Sequence, residues 1–217
     1  MKNCTSKVQF FFFVFFSFLI IGDDHLKDES CKNITKETIN EKSFTSSFNG
    51  TFNGKKIEYS ASLKEKVIYE KENPNMPMAS FFYTEYIATN SDKNRPIIFS
   101  FNGGPGSASL WLHMGVLGPK VIKVPSNATD DGGPPYNIID NNLSPLSDAD
   151  LVFIDPVGTG YSRAIGCHKG EEFWGVSEDP KIIAEFIRRW ITDNNRWNSP
   201  RYILGESYGG IRGPLLV

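Results

Sequence analysis

The residues best suited to chemistry in this 217-residue chain are Gly205-Glu206-Ser207-Tyr208-Gly209. They follow an apolar run at 202–204 that reads as a buried strand, and they precede Gly210, Ile211 and Arg212, where a helix can start. A serine in that setting sits on a tight strand-to-helix turn. Small flanking residues let the turn close, and the hydroxyl is pushed out at the strand end. Backbone N–H groups then point where an oxyanion would form. The chemistry is nucleophilic attack by the Ser207 hydroxyl on an acyl carbon. A bare G-x-S-x-G is also an ordinary glycine turn, so its surroundings must decide.

Two further loops follow apolar runs. Asn102-Gly103-Gly104-Pro105-Gly106-Ser107 comes directly after residues 97–101. Paired glycines let a backbone approach a substrate and expose its N–H groups. The same loop is also compatible with a plain Gly-Pro turn. It lacks the Gly-Lys-Ser/Thr of a phosphate loop. Asp155-Pro156-Val157-Gly158-Thr159-Gly160-Tyr161-Ser162 follows residues 151–154 and is placed at the carboxyl edge of a sheet, where ligands bind in open α/β sheets.

The elements that must position these loops are legible as periods. Residues 48–69 alternate like strands around an Asn53-Gly54 turn, and 81–89 read as another strand. Residues 97–101, 151–154 and 202–204 are continuous apolar runs, expected as buried strands. One helix is clear. Asp179 can cap it and Pro180 suits its first turn, with Asn194 and Asn195 at its end. Ile182, Ile183, Phe186, Ile187, Trp190 and Ile191 form its apolar face. Residues 125–147 read as loop. Strands alternating with helices predict an α/β fold with a largely parallel sheet, and an exposed sheet edge after 202–204.

The three loops, in this order, resemble the serine carboxypeptidase family. Its members carry N-G-G-P-G near the oxyanion hole, a D-x-P-x-G-x-G-[FY]-S loop and a G-E-S-Y-[AG]-G elbow. The resemblance runs from about residue 81 to 217. It implies an α/β-hydrolase fold, here truncated after the nucleophile elbow, and an N-terminal portion of a serine-type carboxypeptidase that hydrolyses C-terminal residues from peptides through an acyl-enzyme on Ser207. It implies that the N–H groups of Gly104 and Tyr208 form the oxyanion hole. Asn102, Gly103 and Glu206 would bind substrate, with Asn102 and Glu206 on the free carboxylate of the last residue. Two carboxylates repel unless one holds a proton, so peptide hydrolysis should weaken as pH rises past neutral.

The chain departs from the common form of the family. Val116 stands where many members have a Glu that pairs with the elbow Glu, Ser107 stands where many have Cys, and the Pro loop is slightly shorter. These differences weaken the expectation of carboxylate recognition. An acyltransferase on the same fold is the alternative, and an inactive secreted binding protein a third possibility. Loss of the nucleophile or of the oxyanion glycines would mark the last, and both are intact.

A serine nucleophile needs a general base and an orienting carboxylate, which in this fold follow it in the order Ser, Asp, His. His25, His113 and His168 all precede Ser207, and none is expected to be the base. The 217-residue chain by itself is therefore expected to be inactive and incomplete.

Lys2 and Lys7 flank the start of an apolar run at 10–21, which predicts a signal peptide over 1–22 rather than a stable membrane anchor. A polar leader or linker is expected over 23–45, and the folded domain over 46–217. Cys31 and Cys167 can pair with each other, remain free or pair outside this chain. Sequons at Asn33, Asn49, Asn127 and Asn142 fit a glycoprotein. The expected location is the secretory pathway, either secreted or lysosomal/vacuolar. The net charge of −2 offers no basic patch for nucleic acid. No metal or cofactor motif is visible, and the expected partners are peptides or proteins with a free C-terminus. The sequence sets no oligomeric state.

Overall fold

A computed structural model describes residues 35–36, 39–125, 127, 129 and 134–217. The expected signal segment 1–22, His25, Cys31 and Asn33 lie outside the described residues.

Alternating residues build a meander first. β1 (Ser43–Phe52) turns into β2 (Lys55–Tyr69), which pairs antiparallel with β3 (Pro77–Ala88). Asn53 and Gly54 take φ of 48° and 78°, the two-residue turn whose twist matches its strands. β1 starts inside the segment expected to be linker. Glu41 accepts a hydrogen bond from Val67 N at 2.8 Å, and Thr45 Oγ1 meets Ser62 Oγ at 2.9 Å. The polar composition there belongs to an exposed edge strand.

After the meander come β4 (Ile97–Phe101), α1 (Leu110–Leu112) with a π turn at His113–Leu117, β5 (Lys120–Ile122), β6 (Ile138–Asp140), β7 (Asp150–Ile154), β8 (Arg163–Ala164), α2 (Glu178–Asp193), β9 (Arg201–Gly205) and α3 (Gly209–Arg212). The main sheet has the order β1-β2-β3-β7-β4-β9, with β8 against β3. β6 lies inside the stretch 125–147 expected to be loop and pairs antiparallel with β5, which precedes that stretch.

The sheet is mixed, and this corrects the expectation of a largely parallel one. Among the described residues, only β7, β4 and β9 run parallel. Parallel pairing needs a long crossover, and the connections at 53–54 and 70–76 are too short to supply one. A second correction concerns β9, which was expected to be buried. It lies at the end of the sheet, and Tyr202 is 57% exposed.

Alternate side chains of β7 serve two cores. Val152 and Ile154 pack with Phe81, Phe99, Phe101, Phe186 and Trp190 on the face covered by α2, whereas Leu151 and Phe153 pack with Phe52, Tyr59, Leu112 and Leu146 on the other. The apolar stripe of α2 is buried as its spacing predicts, apart from a half-buried Ile187, and each large side chain there contributes about 1.5–3 kcal/mol. Trp190 Nε1 donates to the buried Glu85 carboxylate at 2.8 Å. No helix among the described residues is long and apolar enough to cross a membrane.

Candidate active site

The three loops converge because of strand order. β7 and β9 flank β4, so the chain leaves β4 on one side, returns, and crosses to the other. A crevice opens at the carboxyl ends of strands where the order reverses in this way. Asn102 follows β4, Asp155 follows β7 and Glu206 follows β9.

Ser207 is exposed and adopts φ 56°, a left-handed conformation that is costly for serine. The tight turn is held by Gly209 N donating to Glu206 O at 2.8 Å and Gly210 N to Ser207 O at 2.9 Å. Gly103 packs directly against this turn. A Cβ there would collide with Tyr208 N and lie 2.6 Å from Glu206 O and 2.9 Å from Gly209 N, all of them backbone. Only glycine lets the two loops meet. Gly104 takes φ 109°, which aims the next stretch of backbone away from the strand.

Among the described residues, neither the Gly104 nor the Tyr208 amide donates a hydrogen bond, and no group bonds the Ser207 hydroxyl. Two unused N–H donors on adjoining backbones, beside an outward hydroxyl, are what acyl chemistry needs from backbone.

Asn102 is wholly buried. Its Nδ2 donates to Glu206 Oε2 at 3.1 Å and its Oδ1 accepts from Leu112 N at 3.0 Å, so the amide is fixed and Glu206 is held toward the crevice mouth. Asp155 joins the third loop to the second by accepting from Ser109 N at 2.8 Å, and burial pushes its carboxyl above the usual range. Ser109 Oγ donates to Ile154 O.

The serine carboxypeptidase family profile matches residues 58–217. The chain belongs to the serine carboxypeptidase family. Serine carboxypeptidase-like 9 of Arabidopsis thaliana is 30% identical over 152 residues, 69% of this chain and 32% of that protein. Serine carboxypeptidase-like 10 of the same plant is 30% identical over 141 residues, 63% of this chain and 30% of the relative. The chain thus spans about a third of the length of these family members.

The elbow, the glycine loop and the Asp155 loop all lie within the matched stretch. The two described histidines are engaged elsewhere. His113 stacks on Phe153 at 4.6 Å and bonds Tyr86 Oη at 2.6 Å, and burial lowers it to about 4. His168 lies between Glu172 and Glu70, at 2.7 and 2.9 Å. Cys167 is disulfide-bonded, with its partner outside the described residues. Val116 is exposed at 58%.

Sequence reasoning missed the support beneath the site. Asp179, read as a helix cap, makes no cap; it is buried in the first turn of α2 and pairs with Arg212 Nε at 2.7 Å. Arg212, read only as part of a helix start, is 2% exposed. The available signal was an Arg five residues after the serine, within a run of small and apolar residues.

Proposed function

We propose that the protein is a serine-type carboxypeptidase of the α/β-hydrolase fold, removing C-terminal residues from peptides through an acyl-enzyme on Ser207. The observation that carries this is the contact of Gly103 with the elbow backbone, which sets two unused amides, Gly104 N–H and Tyr208 N–H, beside an exposed serine in a strained turn. Ser207 Oγ attacks the scissile carbonyl, its proton passes to a base contributed from outside the described residues and from there to the departing amine as the C–N bond breaks, and water then hydrolyses the Ser207 ester. The two amides take the developing oxyanion. Asn102 and Glu206 hold the terminal carboxylate of the substrate, and because two carboxylates repel unless a proton lies between them, hydrolysis of peptides is favoured at acidic pH.

Acyl transfer on the same serine is the alternative, favoured by one observation. Glu206 has Asn102 as its sole hydrogen-bonding side chain among the described residues, and the family resemblance puts Val116 at the position where many members have a Glu paired with the elbow Glu. The full-length protein decides between them when given a blocked dipeptide in one assay and an activated ester with an alcohol acceptor in the other. Release of the terminal amino acid supports the carboxypeptidase, and ester exchange without peptide hydrolysis supports transfer.

The protein is further proposed to enter the secretory pathway. Supporting this are the apolar N-terminal run, exposed sequon asparagines at 49, 127 and 142, and a disulfide at Cys167, a bond that persists in oxidising compartments. A mass decrease on endoglycosidase treatment of the native protein is expected, and its absence would count against this location.

A further inference from the structure

Arg212 is among the largest fully buried side chains of the molecule. Burying a guanidinium is costly unless its charge and donors are satisfied, and packed apolar residues often serve stability as well or better. Its contacts indicate a different purpose. Nε donates to Asp179 Oδ2 at 2.7 Å, and Nη1 donates to the backbone carbonyl of Asn102 at 2.8 Å. The guanidinium carbon lies 5.1 Å from the centre of the Phe101 ring and 5.3 Å from that of Tyr208. Phe101 ends β4, Asn102 opens the glycine loop, Tyr208 follows the nucleophile, and Asp179 belongs to the first turn of α2. One cation thus touches every piece whose relative placement sets the distance between the two oxyanion amides.

We propose that Arg212, anchored by Asp179, is a positioning residue for the oxyanion hole. It rests on the serine-hydrolase reading above and extends it. The Asn102 carbonyl begins the two peptide units that end at the Gly104 amide. Holding that oxygen with a planar donor, itself fixed by a second bond to Asp179, limits rotation of those units. Gly103 and Gly104 have no side chains to do so. The rings of Phe101 and Tyr208 keep the guanidinium plane in place. Lysine retains the charge but cannot make both directed bonds from one planar group.

The test uses the full-length enzyme and compares Arg212→Gln, Arg212→Lys and Asp179→Asn with the unmodified protein, each normalised to folded protein by its unfolding curve. Activity is followed with a blocked dipeptide bearing a free carboxylate and with its methyl ester. The expected result is a kcat lowered about 10- to 100-fold by Arg212→Gln on both substrates, somewhat less than the loss of a whole oxyanion donor, with KM changed less than about threefold. Arg212→Lys is expected to recover less than a tenth of the loss. Arg212→Lys keeps a cation beside Asp179 and is expected to fold even if the other two variants do not, and Asp179→Asn, in its folded fraction, is expected to lower kcat by about 5- to 20-fold with KM again unchanged. A kcat within about twofold of normal in folded Asp179→Asn or Arg212→Gln, or full recovery by Arg212→Lys, would overturn the proposal while leaving the serine-hydrolase reading intact. An unmodified full-length enzyme without Ser207-dependent activity would overturn both.

Discussion

The meander β1–β3 and the parallel trio β7-β4-β9 share one sheet and are held together differently. In the meander the strands are long, a tight turn sets register, and ion pairs such as Lys55–Asp148 lie at the surface. Surface pairs of this kind contribute little. In the trio each strand has five residues, and register depends on what happens beyond the strand ends. There a glycine packs on bare backbone, a serine takes positive φ, and a buried cation binds a carbonyl. A strained serine and the buried Arg212–Asp179 pair sit where chemistry is proposed, whereas the other buried charges, Glu85 with Trp190 and Asp150 with Arg196, lie away from it and tie the sheet to its surroundings.

Ser207→Gly should separate the two regions most strongly. Activity of the full-length protein is expected to fall by about 10⁴-fold or more. Relief of the left-handed serine is expected to raise stability by about 1 kcal/mol in urea unfolding. A loss of stability instead would remove strain from the account of the elbow. Next in size is Gly103→Ala. Its Cβ must push apart the backbones of the glycine loop and the elbow, at a cost of about 2 kcal/mol in stability and a kcat loss of about 100-fold. An alanine enzyme with normal kcat would show that the close approach is not needed.

Histidine titration gives a smaller contrast. Burial pulls the His168 imidazole down, but hydrogen bonds and charge from Glu172 and Glu70 outweigh it and hold its pKa above the ordinary value. A neutral ring donates from one nitrogen only, so holding both carboxylates requires the imidazolium. Its contribution is complete below about pH 6.5 and is lost as pH rises above that value through the folded-state pKa. Between pH 6 and pH 8 the melting temperature of the unmodified protein is expected to change by about 2 °C in the destabilising direction relative to His168→Gln, the variant in which His168 no longer contributes. His113 acts in the opposite direction. Burial lowers it to about 4, so its contribution is lost as pH falls from about 6.5 toward that value. The smallest effect belongs to the meander. Ser47→Thr, at an exposed position on the face of β1 opposite Phe52, should change stability by no more than about 0.5 kcal/mol and leave kcat unaltered. A change in kcat from this position would break the distinction between the regions.

Local chemistry made much of this legible from residues alone. The Asn53-Gly54 turn, the α2 stripe and the three loops after apolar runs each follow from short-range rules, and each was found where expected. Strand order was not legible. An exposed edge after 202–204 was expected, but nothing in residues 97–101 or 202–204 tells that β9 pairs with β4 rather than β7, because apolar runs carry no mark of their partners. The start of β1 was missed because an exposed edge strand has the composition of a linker. Asp179 and Arg212 were missed because their partnership spans 33 residues and depends on how α2 lies against the elbow.

The central claim is that Ser207 is an activated nucleophile. It is tested most directly by treating the native protein, captured from its source, with a serine-directed phosphonate, and mapping the adduct by mass spectrometry. One phosphonate on Ser207, absent in Ser207→Ala and blocked by prior denaturation, is the predicted result. A folded native protein that takes up no label at Ser207 would contradict the account.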